Sequence, residues 1–368
     1  MNRGGSRVTR RGIQVTLGWL WILDGCLQFQ PAMLTSKFAT QVIAPAGARQ
    51  PAFVSWPVSE VARIIVHQPA LTDVAFGLIQ LALGAGLLHR RTVRWALAAS
   101  VVWALSVWYL GEGLGGLFGG GASLLTGAPG SALLYAVVAL AVFPRPGKNA
   151  ADQRPARWAA VAWAALWLGG TLLQVLPGSD TNASISMSLA MNASGAPAWY
   201  AALDNHLSGL VPYGGVSVVI DLVALQAFAG LGVLLGRRTR RAAVVVGIGL
   251  SLAYWVAGQD LAQFWSGITT DPDTGPVVIL LGVAVFGAAP WNQPGSGTKP
   301  ERGRTVQARR HDRDRGYLGA LGGRRRAAQP QMQPDRPVGA AEPIESDIQD
   351  ISVVGISEHT GLFPALPG

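Results

Sequence analysis

Between residues 13 and 290 the sequence holds eight long apolar stretches, and that pattern restricts the fold more than any other feature. They run over 13–30, 69–88, 93–110, 129–143, 158–176, 213–235, 242–258 and 275–290. A backbone placed in hydrocarbon has no water to satisfy its N–H and C=O groups, so such stretches must be helices. About 20 residues cross a hydrocarbon core about 30 Å thick. The fourth and eighth stretches are short by that measure; they borrow length from the apolar residues before them or sit where the bilayer thins. The first lacks a small-residue cleavage site and runs into "QFQPAML", so it reads as a span rather than a removed leader. The expected fold is an all-α, multi-pass membrane protein.

Charge supports this and sets an orientation. Only 13% of residues are charged, against about 25% in soluble domains. With the N-terminus inside, twenty-six of the Lys and Arg residues fall on the inner face. Three fall outside, Lys37, Arg49 and Arg63, all in one long loop. Positive residues stay on the cytoplasmic side, so both termini are expected there, in a bacterial cell membrane. The lone Cys26 forms no internal disulfide or Cys-x-x-Cys relay and reads as a packing residue.

The phrase "LLHRRTVR" at 87–94 returns as "LLGRRTRR" at 234–241. Setting 86–138 against 233–285 gives 16 identities in 53 ungapped positions, including Trp108 with Trp255, Gly111 with Gly258 and Pro129 with Pro276. "LWILDGCLQFQP" (20–31) faces "LWLGGTLLQVLP" (166–177) at a shift of 146. The chain therefore divides into a basic arm (1–12), a first four-helix module (13–144), a cytoplasmic linker (145–157), a second module (158–290) and a tail (291–368). An even number of spans per module gives parallel repeats. The arginine phrase reads as an inner hairpin turn written once per module. The first long outer loop has helical periodicity around 58–66, suited to lying along the membrane interface. The matching loop of the second module has the same role without the same sequence.

The phrases "WYLGEGLGGLFGGGASLLTGAPG" and "LDGCLQFQP", with the tandem four-span plan, resemble DoxX-like membrane proteins and actinobacterial proteins near that group. The resemblance spans 13–290. It implies an accessory role beside redox enzymes of the membrane and a quinone-like lipid as ligand. It carries no catalytic residue onto this chain.

Ionisable and amide groups inside a bilayer are costly, about 2.5–3.5 kcal/mol per charge on insertion scales, and so mark candidate sites. Asp24 and Asp221 lie too deep in their spans for capping. Asp73 opens span two, where Thr72–Asp73 reads as a helix cap; Glu112 closes span three and Asp260 follows span seven. Gln28, Gln259 and His67 lie at the same depth, and Arg49 or Arg63 would supply a counter-ion. Together they suggest a carboxylate-lined cavity in the outer half, binding a cation, protons or a polar head group. Asp24 aligns with Gly170 and Glu112 with Gln259, so a duplicated scaffold would hold one site rather than two. His67 and His206 lack ligand spacing for a metal or haem, and no phosphate-binding loop is present.

The tail combines a basic run at 299–336 with an acidic end at 342–368. It reads as disordered, held to anionic lipid by its arginines, with an end suited either to docking a cytoplasmic protein partner or to folding back on the arginines. Nucleic acid fits poorly, because the basic run lacks interleaved aromatics. The leading expectation is an accessory or ligand-binding membrane component rather than an enzyme. A transporter using the cleft between modules, and a scaffold acting through the tail, are the alternatives.

Overall fold

The computed structural model describes residues 8–144 and 155–288, and their regular structure is helical throughout. Most of the arm (1–7), the linker (145–154) and the tail from 289 onward, with the expectations placed on them, lie outside the described residues. The first half contains α1 (Arg10–Leu27), a π-helical turn (Phe38–Ile43) leading into the short α2 (Ala44–Ala46), α3 (Ala52–His67), α4 (Pro69–Leu88), α5 (Val93–Leu110) and α6 (Ser131–Ala141). The second contains α7 (Ala159–Gln174), α8 (Asn182–Asn192), α9 (Ala198–Leu210), α10 (Ser217–Gly232), α11 (Arg237–Ala257) and α12 (Thr274–Ala288).

Three helices, α4, α5 and α11, are long and apolar enough to cross a membrane. Only 33, 22 and 28% of their most apolar windows is buried, so their remaining faces present side chains such as Leu78, Val102 and Leu252 outward. Apolar faces of that extent call for a non-aqueous surround or a partner. The helices α6, α7, α10 and α12 are apolar but shorter. Arg10, Arg11 and Asp24 set α1 apart from them.

The two halves pair their helices alike: α1 on α4 and α7 on α10, α5 on α6 and α11 on α12. Glycines allow the closest of these approaches. A Cβ on Gly84 would stand 2.6 Å from the Gly18 carbonyl oxygen, and one on Gly25 would stand 2.9 Å from that of Gly77. Helix α12 also packs on α1, α6 and α7, gathering Leu17, Tyr135, Val138, Trp163, Trp167 and Leu281 into one core. A smaller cluster of Met33, Phe38, Val54, Val58 and Ile65 lies beneath α3.

Two arginines serve helix ends. Arg11 donates to Leu87 O at 2.8 Å and to Leu88 O, and Arg240 Nε donates to Val233 O at 2.7 Å. These are late carbonyls of α4 and α10, which lack partners within their own helices.

The structure corrects two expectations. Asp73 caps nothing: α4 begins at Pro69, Thr72 Oγ1 donates back to Gln68 O at 2.9 Å, and Asp73 sits one turn further in, fully buried. Cys26 is exposed rather than packed. The periodicity at 58–66 widens into α3, whereas its counterpart breaks into α8 and α9, the first opened by a Thr181–Ser184 capping box.

Candidate functional site

Glu112 lies two residues past α5, and its position follows from what comes next in the chain. Gly113, Leu114, Gly115 and Gly116 all take left-handed conformations, with φ between 54° and 73°. Just ahead of that reversal, the Glu112 side chain meets the start of α6. Its Oε1 accepts from Ser131 Oγ at 2.7 Å and from Ala132 N at 3.0 Å. The carboxylate thereby partners a free N–H in the first turn of α6, where the macrodipole also favours it. Gly130 leaves room for this, since a Cβ there would collide with Glu112 Oε2.

The second half builds the same joint with an amide. Asp260, Leu261, Ala262 and Gln263 are all left-handed, at φ between 49° and 59°. Gln259 Oε1 accepts from Gly275 N at 3.0 Å, at the start of α12. Trp108 Nε1 donates to Pro129 O at 2.7 Å, and Trp255 Nε1 to Pro272 O at 2.8 Å. These bonds match Pro129 with Pro272 rather than with Pro276, so the loop before α12 is four residues shorter than an ungapped comparison assumes. The new register also aligns "AVF" at 141–143 with "AVF" at 284–286.

Beside Glu112 a cavity of about 310 Å³ opens between α1, α4, α5 and α6. Its walls are largely apolar and aromatic, with Trp21, Phe38, Val61, Phe76, Trp103, Val107 and Leu110. Asp24, Gln28, Gln80, Glu112, Ser131, Tyr135 and Asp271 supply its polar groups. Tyr135 donates to Asp24 Oδ1 at 3.1 Å and lies edge-on to Trp21, with ring centroids 4.7 Å apart. Trp21 Nε1 is spent on Ser100 Oγ at 2.7 Å. Asp271 arrives from the loop before α12, which Gln30 Nε2 anchors through Thr269 O at 2.8 Å. Burial, and then the neighbouring Asp271, pushes the Glu112 carboxyl up to about 8 despite its two hydrogen bonds. The same two causes bring Asp273 in that loop to about 7.

Four buried polar atoms on this lining lack a partner: Gln28 Oε1, Gln80 Oε1, Glu112 Oε2 and Trp103 Nε1. A buried polar atom without a hydrogen bond costs about 1–3 kcal/mol, so such atoms rarely collect around one space without something to fill it.

The corresponding place in the second half is closed, with a cavity of about 10 Å³. Gly170 stands in the position of Asp24, and a Cβ there would collide with Leu124 Cδ1, which crosses from the first half. Tyr254 stands in the position of Val107, and its hydroxyl accepts from Gln226 Nε2 at 2.9 Å. Gln226 is the counterpart of Gln80; its amide nitrogen is bonded there, while its Oε1, like those of Gln80 and of the matched pair Gln28 and Gln174, has no partner.

Of the residues expected at the site, Asp24, Gln28 and Glu112 line the open cavity. Gln259 lines the closed one. Asp260 is buried beside Asn192, whose Nδ2 donates to it at 2.9 Å, and burial followed by Asp204 raises its carboxyl to about 6. Asp73 is buried outside the cavity, with neither oxygen hydrogen-bonded. His67 and Asp221 are exposed and outside it too. Neither arginine enters as a counter-ion: Arg63 pairs with Glu60 at 2.5 Å on the surface, and Arg49 is exposed. Gln80, Tyr135 and Asp271 escaped the sequence reading. The first had a signal, since a shift of 146 sets Gln80 against Gln226 and Gly84 against Gly230.

No family model, curated protein or solved structure matches this chain.

Proposed function

We propose that the chain is a multi-pass protein of a bacterial cell membrane whose first half binds a small ligand in the cavity beside Glu112. In this reading eight spans form two tandem four-helix modules, with both termini cytoplasmic. Matched helix pairings, paired left-handed turns and paired Trp–Pro bonds support the duplication. The excess of arginine at the hairpin turns supports the orientation. A DoxX-like accessory role beside membrane redox enzymes is part of the same proposal and rests on the sequence resemblance.

One observation carries the binding function: a hollow of about 310 Å³ with carboxyl, amide and aromatic walls, four of whose buried polar atoms lack a partner, stands open in the first half where the matching place in the second is filled. A volume near 300 Å³ with apolar walls and a few convergent polar groups is that of a small-molecule site.

Val107→Tyr should close the hollow as Tyr254 closes its counterpart. Native mass spectrometry of protein extracted in mild detergent is expected to show a bound small molecule on the wild type and none on V107Y. Equal ligand masses on both would remove the cavity as the binding site.

A further inference from the structure

The unpartnered atoms of the cavity are unequal in kind. Gln28 Oε1, Gln80 Oε1 and Glu112 Oε2 are acceptors, and only Trp103 Nε1 is a donor. Gln28 and Gln80 are 2% and 6% exposed and line the cavity, so a ligand there can reach them, whereas the equally orphaned Oε1 atoms of the matched Gln174 and Gln226 have no such space beside them. Three carboxyl groups, Asp24, Glu112 and Asp271, share this lining, and no Lys, Arg or His among the described residues joins them. The walls around them carry Trp21, Phe38, Phe76 and Trp103, with Phe76 edge-on to both Phe38 and Trp103 at centroid distances of 6.1 and 5.2 Å.

We propose that the cavity takes an organic cation: a primary or secondary ammonium group on a compact apolar body. The proposal rests on reading this cavity as a binding site and names its ligand class. Each feature selects for one part of such a molecule. Ammonium N–H groups satisfy the orphaned acceptors, and N–H bonds to a carboxylate are among the stronger hydrogen bonds. An ammonium charge lets carboxyl groups of the lining ionise, since none of the three has a basic neighbour there. Aromatic rings attract a desolvated cation through their negative faces and pack against its apolar part. A neutral lipid head group rich in acceptors would leave Gln28, Gln80 and Glu112 as they are. An anion would meet three carboxyl groups at close range.

The test uses the full chain in detergent at pH 7.5, with equilibrium dialysis and thermal stability as readouts. The probes are 2-phenylethylamine, its N,N,N-trimethyl derivative, 3-phenylpropanoate and a short-chain ubiquinone analogue. The primary amine is expected to bind and stabilise, the trimethyl derivative to bind more weakly for want of N–H donors, and the carboxylate to leave the protein unchanged. Asp271→Asn, a loop substitution, should weaken amine binding about tenfold, the loss of one charge-assisted contact. Val107→Tyr should abolish it while the protein stays folded. If the quinone analogue binds in a V107Y-sensitive manner and the amine does not, the cation assignment fails and the cavity reading stands. If the amine binds V107Y as well as wild type, both fail. An amine that neither binds nor stabilises the wild type overturns the assignment.

Discussion

Gln226 donates its amide N–H to the Tyr254 hydroxyl at 2.9 Å, and in the first half the matching pair is Gln80 and Val107, where no such bond exists. A valine offers the amide nitrogen of Gln80 no acceptor, whereas Oε1 lacks a partner in both glutamines. The second half thus displays the closed version of the first. Installing it predicts that V107Y raises stability, because a buried hydrogen bond adds about 1 kcal/mol and the ring fills empty volume. Thermal unfolding in detergent should show a higher midpoint for V107Y, with Val107→Phe in between. A fall for both would mean that the hollow has no room for the ring.

The left-handed turn at Asp260–Gln263 makes a second prediction through its sign. Ala262 has φ 59° and ψ 18°, a conformation that costs a residue with a Cβ about 1–2 kcal/mol. Glycine removes that strain but adds about 0.5–1 kcal/mol of unfolded-state entropy. Ala262→Gly should therefore be neutral or stabilising by about 0.5 kcal/mol, where the same change in a right-handed helix costs about 1 kcal/mol. Unfolding midpoints of Ala262→Gly and of Ala253→Gly within α11 should move apart accordingly.

These places show where a sequence stops being legible. Segments such as 69–88 and 93–110 could be read because helical hydrogen bonding is local and apolar length is additive; both ends of α4 and α5 match the reading. Asp24, Gln28 and Glu112 stand out in the sequence because a polar group at depth is expensive wherever it occurs. Asp271 does not, since it reaches the cavity from a loop that is distant in sequence and held there by Gln30. Sequence depth says nothing about which face of α10 Asp221 occupies, and it is exposed there. The register of α12 was hidden by Pro276, which mimics Pro129 by chance of spacing while Pro272 makes the equivalent bond.

The loop-end carboxyls predict how stability depends on pH. In the folded protein Glu112 sits at about 8 and Asp273 at about 7, both raised by burial and by Asp271. Their ordinary values, 4.5 and 3.8, apply to the unfolded chain. The folded state therefore holds protons that the unfolded state has lost. Their contribution is full below about pH 4 and drains away as pH rises to about 8, at up to 1.4 kcal/mol per pH unit for each group. Thermal midpoints scanned from pH 4 to 9 should fall across that window. Glu112→Gln should flatten the fall, because an amide caps α6 without titrating, as Gln259 already does for α12. A midpoint that rises with pH would contradict the assignment.

The approach of α1 to α4 yields a prediction in which one substitution takes opposite signs at two sites. A Cβ on Gly84 would lie 2.6 Å from the Gly18 carbonyl oxygen and equally close to Ile22 Cγ1. Part of that obstacle is backbone, so the helices must separate, and Gly84→Ala should cost about 1–3 kcal/mol, as overpacking does. Gly169, within α7, has nothing within 4 Å of its notional Cβ. There Gly→Ala meets only the gain in helix propensity, about 1 kcal/mol. Separation of α1 from α4 also moves Asp24 and Gln28 away from Gln80, since all three line the cavity. Gly84→Ala should thus lower both the unfolding midpoint and any ligand binding, and Gly169→Ala should raise the midpoint and leave binding alone. A Gly84→Ala protein with wild-type stability would show that α1 and α4 do not make this close contact.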